Sequence, residues 1–194
     1  MCGRYALDAD IDQLIERYKA IVMETQFSRK KEIYPTQIMP VIKGGEKRVI
    51  TQAKWGFTPA FAKKPLINAR GESVYEKITF KKPFLTNRCI VPATSFFEWE
   101  VVDNKKVKRS IRLKNNEIFS MAGLLNDYQD EEGNVITTYT IITTTANNDM
   151  KKIHDRMPVI LAKEQEDIWL NMDEKSISIL LGLLHPTEET LEIL

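Results

Sequence analysis

Between residues 88 and 144 the chain reads as a succession of strands separated by polar turns, and this stretch limits the available folds more than any other. Apolar, β-branched and aromatic residues dominate 88–91, 95–101, 107–113, 117–122 and 135–144. Asp103-Asn104-Lys105-Lys106 and Asp130-Glu131-Glu132-Gly133-Asn134 supply turns between them. Upstream, 37–43 and 47–55 form a hairpin pattern joined by Lys43-Gly44-Gly45-Glu46. Ile11, Leu14, Ile15 and Tyr18 recur at helical spacing after Asp8 and Asp10, which predicts a helix over about 10–20. Short helices are expected at 72–78, 147–152 and 163–171, and an amphipathic one at 176–184. Met157-Pro158-Val159-Ile160-Leu161 reads as a short strand. Strands in runs with helices around them define an α+β fold with a curved, antiparallel or mixed sheet.

With 194 residues and no linker or repeat, one domain spanning 1–194 is expected, large enough to bury a core without staples. Hydrophobic residues are 43% and charged residues 28%, as in soluble globular chains. A net charge of +1 does not mark a nucleic-acid binder, although 28 Lys/Arg against 27 Asp/Glu can still segregate into a basic surface. Two cysteines cannot build a disulfide framework, and residues 1–20 carry no apolar signal segment. A reducing cytoplasm is the expected compartment, with no membrane span, metal or cofactor. Cys89, in an apolar run, reads as a buried structural thiol.

Cys2 follows the initiator methionine in Met1-Cys2-Gly3-Arg4-Tyr5. Removal of Met1 leaves an α-amine and a thiol on one residue. Such a 1,2-aminothiol attacks an aldehyde to give an imine and closes on the same carbon as a thiazolidine. Other polar residues are unexplained by local structure. Asn68, in Leu66-Ile67-Asn68-Ala69-Arg70, fits either a cap or Asx turn or a hydrogen-bonding role. Strand alternation puts Glu98 on one face with Phe96 and Glu100. A carboxylate among aromatics is partly desolvated, a setting for proton transfer, but a solvent-facing Glu is equally compatible. His154 lies beside Asp155 and Arg156 and is a second proton-transfer candidate. Arg4, Arg70 and Arg156 could grip phosphate, and Trp55 and Trp99 could stack on bases; each also fits a salt bridge or core packing.

In order along the chain, Met1-Cys2-Gly3-Arg4-Tyr5, Trp55-Gly56-Phe57 with Pro59, Ile67-Asn68-Ala69-Arg70-Gly71-Glu72, Arg88-Cys89-Ile90-Val91-Pro92-Ala93, Phe96-Phe97-Glu98-Trp99, Ile142-Thr143-Thr144 and His154-Asp155-Arg156-Met157-Pro158 form a set that resembles the SOS-response-associated peptidase family of abasic-site-processing proteins. The resemblance spans nearly the whole chain. It implies a mainly antiparallel, barrel-like core with peripheral helices, and capture of abasic sites in single-stranded DNA as a thiazolidine cross-link. It further implies a weak lyase side activity and a peptidase activity that here could only release Met1. By this resemblance Cys2 is the nucleophile, Asn68 its positioning partner, Glu98 an acid/base and His154 a sugar-contacting acid/base. Arg4, Trp55, Arg70, Trp99, Thr143 and Arg156 become DNA contacts. The expected partner is single-stranded DNA with abasic sites, and the protein is expected to act as a monomer, nucleoid-associated when bound.

One segment departs from the family pattern. Lys31-Glu32-Ile33-Tyr34-Pro35-Thr36-Gln37 has Glu32 where the family carries Asn, and Tyr34 where it carries Ala. A carboxylate there is expected to repel phosphate. Two other classes are compatible with a Met-Cys-Gly start: an amino-terminal-nucleophile glutamine amidotransferase, whose Asn-Gly loop is missing here, and a non-covalent single-stranded nucleic-acid binder in which Cys2 is incidental.

Overall fold

The strand-rich stretch closes on itself. The computed structural model describes residues 2–23, 27–115, 117–130, 132–174 and 176–194; Met1, and Glu131 within the second turn, lie outside it. The strands in chain order are β1 Tyr5–Leu7, β2 Ile21–Val22, β3 Lys30–Ile33, β4 Ile38–Lys43, β5 Val49–Trp55, β6 Asn68–Arg70, β7 Arg88–Ala93, β8 Ser95–Val102, β9 Lys105–Leu113, β10 Phe119–Gln129, β11 Val135–Thr145, β12 Arg156–Pro158, β13 Ile160–Leu161 and β14 Leu191–Ile193. The helices are α1 Ile11–Tyr18, α2 Ile78–Thr86, α3 Glu166–Leu170 and α4 Ile177–Gly182. Five strands follow one another as β11-β10-β7-β4-β5. β5 then pairs in parallel with β11, Thr138 opposite Lys54 and Tyr139 opposite Trp55, which closes a five-stranded barrel. A second sheet, β14-β9-β8-β1-β3, is antiparallel throughout.

Local chemistry sets the two long hairpins. Val102 pairs with Lys105, and the two residues between, Asp103 and Asn104, have φ of 50° and 61°. That is the left-handed pair a two-residue hairpin turn requires, and Asp and Asn tolerate it best after glycine. Between β10 and β11, Asp130 Oδ1 accepts from the backbone N–H of Glu132 at 3.0 Å and of Asn134 at 2.8 Å. α1 begins where expected, with Asp10 and Gln13 exchanging the two bonds of a capping box.

The helix expected at 72–78 is instead a single 3₁₀ turn at Gly71–Ser73, and the helix proper is α2. Its amino terminus has no side-chain cap and Pro83 lies inside it, so the usual boundary signals are missing. Phe80 and Phe84, four apart and both buried, are the signal that marks it. The helix expected at 147–152 shrinks to a 3₁₀ turn at Met150–Lys152, whereas that expected at 163–171 is present as a 3₁₀ turn at Lys163–Gln165 running into α3. The short strands β1, β2, β3, β6 and β14 were not expected; segments this short show no alternation and are held by their neighbours.

One continuous core fills the barrel and the space beside the second sheet. Trp55 stacks on Tyr139 at 6.2 Å between ring centroids and meets Tyr5 edge-on at 5.2 Å. Cys89 is fully buried, and its carbonyl accepts the Trp169 indole N–H at 2.8 Å. Among the described residues no helix is long and apolar enough to cross a membrane.

Candidate functional site

β1 is three residues long and needs two partners to stay in place. Tyr5 lies opposite Phe96 of β8 and Ile33 of β3, and the Phe97 N–H donates to the Arg4 carbonyl at 2.9 Å. This leads Cys2 into the interior, where it has no exposed surface. Asn68, which opens β6, is fixed by the parallel pairing of β6 with β11. Its side-chain amide donates to the Cys2 carbonyl at 2.9 Å. Its Oδ1 is buried with no hydrogen-bond partner among the described residues. The side-chain bond of Asn68 thus goes to Cys2 rather than to a helix end.

Glu98 comes from β8, is 3% exposed, and lies close enough for its charge to act on the Cys2 thiol. Burial first, and Glu98 second, push that thiol up to about 12. The thiol contacts the Arg4 carbonyl at 3.8 Å. Beneath it the Tyr5 and Tyr139 hydroxyls share a hydrogen bond of 2.7 Å, and both are pushed well up, chiefly by burial.

A second group gathers around Arg156. Its two terminal nitrogens bind Glu72 at 2.5 and 2.9 Å, and Nη2 also donates to the Thr143 carbonyl at 2.8 Å and hydroxyl at 3.2 Å. Arg156 lowers the Glu72 pKa despite an opposing contribution from burial. His154 Nδ1 accepts the Arg156 backbone N–H at 3.0 Å and lies 2.8 Å from Asp155 Oδ1. The two groups are joined through β6, which carries Asn68 at one end and Arg70 at the other, with the Ala69 carbonyl between them accepting from the Thr143 hydroxyl at 3.5 Å.

Of the expected strand contacts, Arg70 is exposed and Trp99 is half-buried. Arg4 lies over the Tyr34 ring at 4.2 Å and the Trp99 ring at 5.1 Å. Trp55 has no exposed surface, and its indole N–H donates to the Ile67 carbonyl at 3.0 Å. A ring enclosed in the barrel has no free face for a base, which goes against the stacking expected of Trp55. Thr143 and Arg156 are also buried and occupied with each other. The Glu32 carboxylate, expected to repel phosphate, is itself held by the Arg4 guanidinium at 3.4 Å, by Lys108, and by the Tyr34 hydroxyl at 2.7 Å. Lys108 and Tyr139 carried no sequence signal, because each is brought in by strand pairing far along the chain. A cavity of about 880 Å³ near Asp149, His185 and Glu189 contains none of these residues. Among the described residues no three His, Cys, Asp or Glu side chains gather as a metal-holding group.

These observations define a closed barrel flanked by a second sheet, with a buried cysteine near the amino terminus whose carbonyl is bound by an asparagine and whose thiol lies within reach of a buried carboxylate's charge. The chain belongs to the SOS response associated peptidase (SRAP) family, whose profile matches residues 1–194. It is 40% identical over 195 residues to the abasic site processing protein YoqW of Bacillus subtilis strain 168, spanning 96% of this chain and 87% of that one. The abasic site processing protein HMCES of Pongo abelii is 28% identical over 179 residues, 73% of this chain and 51% of that one. A crystal structure of a Bacteroides thetaiotaomicron protein matches with a TM-score of 0.85 at 27% identity, over 99% of this chain and 90% of that one. One from Bordetella bronchiseptica matches at 0.83 and 22% identity, over 99% and 98%, a likeness of fold.

Proposed function

We propose that this chain captures abasic sites in single-stranded DNA as a thiazolidine formed on Cys2. The observation that carries the reading is the convergence on Cys2: the Asn68 amide on its carbonyl and Glu98 beside its thiol. The names of its relatives supply the substrate class. While Met1 is attached, the Cys2 nitrogen is an amide; its removal frees the amine. A thiol held near 12 is protonated at neutral pH, so the amine attacks first. The amine adds to the C1′ aldehyde of the opened sugar, and water leaves to give an imine. The thiol then adds to the imine carbon, and its proton passes to the nitrogen. In this reading Glu98 gives and takes these protons, and His154 helps to open the closed sugar. The Asn68 Oδ1, lacking a partner among the described residues, suits the freed amine or a sugar hydroxyl. β-Elimination from the imine would account for a weak lyase activity.

The test uses an oligonucleotide carrying uracil, treated with uracil-DNA glycosylase and mixed with protein whose Cys2 amine is free. A slow, heat-stable band on a denaturing gel is the expected result. Cys2→Ala, or a chain with its amine acylated by an amino-terminal tag, should give none. A stable adduct from either, confirmed by intact mass, would remove the thiazolidine chemistry.

A further inference from the structure

Four adjacent strands, β9, β8, β1 and β3, bring Lys108, Trp99, Arg4 and Glu32 to one place at the edge of the Cys2 site. Glu32 binds Arg4 at 3.4 Å, Lys108 in direct contact, and the Tyr34 hydroxyl at 2.7 Å. Its side chain is 29% exposed, and those of Arg4 and Lys108 are 26% and 35%. Solvent, and any anion in it, therefore reaches all three. Arg4 is further held by Tyr34 and Trp99, whose rings lie 4.2 and 5.1 Å from its guanidinium.

An Arg and a Lys side by side, next to a half-buried indole, are what a strand backbone would grip. Here a carboxylate already fills that grip. We infer that Glu32 is a specificity-determining residue, an internal anion that occupies Arg4 and Lys108 and must be displaced by a DNA phosphate. The inference rests on the proposed strand-binding role of the site. Its consequence is selectivity. An intact strand gains little by exchanging one anion for another at the same two cations. A strand that also reacts at Cys2 is retained by the covalent bond. Glu32 thus lowers affinity for undamaged DNA without blocking capture.

The test is equilibrium binding of an intact oligothymidine of about 15 nucleotides, a length such grooves cover. An intact strand has no aldehyde and cannot cross-link, so binding is read alone by fluorescence anisotropy across a salt series. Glu32→Gln should tighten binding about three- to tenfold at low salt, a modest gain because the ion pairs it removes are partly exposed. It should also steepen the salt dependence by about 0.7 to 1.4, one or two released phosphate counterions. Glu100→Gln is the charge control, because Glu100 on β8 pairs with Arg109 on β9 at 2.7 Å in the same sheet and its loss changes net charge equally. Equal tightening by both variants would reduce the effect to net charge and overturn the assignment. Unchanged or weaker binding by Glu32→Gln would overturn it too, making Glu32 an organiser of the cations.

Lys108→Gln gives a second, independent reading. It should cost under about twofold in the native protein, where Lys108 is occupied, and about threefold or more beside Glu32→Gln. A large loss in the native background would mean that Lys108 already grips the strand, and the inference fails. If the native protein binds but responds wrongly, the proposed function stands and this inference falls. If neither the native protein nor Glu32→Gln binds, this inference falls, and the cross-linking assay alone decides the proposed function.

Discussion

Cys2 combines two properties that pull in opposite directions. A nucleophile benefits from a free thiolate, yet burial and Glu98 hold this thiol up at about 12. The chemistry is consistent only if the amine acts first and the thiol closes the ring, and that order makes the neighbours testable. Asn68→Ala should slow adduct formation about tenfold or more with little change in melting temperature, because its side-chain bond goes to Cys2 and supports no helix end. Loss of about 1 kcal/mol of stability with an unchanged rate would instead mark it as structural. Glu98→Gln should slow both formation and reversal of the adduct, by about 100-fold if it is the shared proton donor and acceptor. His154→Ala should slow formation on closed-ring sugar more than on a substrate presented as free aldehyde. Parent rates for both variants from pH 6 to 8 would end their assignment and leave the Cys2 chemistry intact.

At the scale of elements, the site depends on short pieces that neighbours hold in place. β6 reaches Asn68 through the loop that leaves β5 at Gly56. Gly56 has φ of 115°, donates its N–H to the Tyr139 carbonyl at 2.7 Å, and would place a Cβ 2.6 Å from that of Pro65. Gly56→Ala therefore meets both backbone strain and a clash, and should lower stability by about 1–3 kcal/mol in urea unfolding. Adduct formation should slow as well, since the loop returns through the Phe57–Leu66 bridge to Asn68. A variant as stable as the parent would mean that the loop relaxes freely. The long hairpins were legible because their turns carry Asp, Asn and Gly at positions demanding them. α2 was misplaced because its ends carry no such residues. β1 and β6 went unseen because three residues cannot show a period, and these two strands position Cys2 and Asn68.

Across the whole molecule, the buried acids predict one behaviour. Cys2, Cys89, Tyr5, Tyr18 and Tyr139 all have raised pKa values, each chiefly through burial. Their folded-state values exceed those of the unfolded chain, about 8.5 for Cys and 10 for Tyr. The unfolded state thus releases its protons first, and the stability these groups contribute is full below about pH 8 and falls as pH climbs toward 12. Melting temperature should be flat from pH 7 to 8 and drop progressively between pH 9 and 11. A flat profile to pH 11 would contradict the enclosure of these side chains. The residues by themselves determined the family, the α+β class, the hairpin turns and the identity of Cys2, Asn68 and Glu98 as unusual, because motif order, turn chemistry and alternation are local properties. Only the tertiary structure decided that the sheet closes through a parallel β5–β11 pair, that Trp55 lies inside it, and that Glu32 is held by Arg4 and Lys108. Each of these depends on which strands become neighbours, and strand pairing is chosen by burial of the whole core.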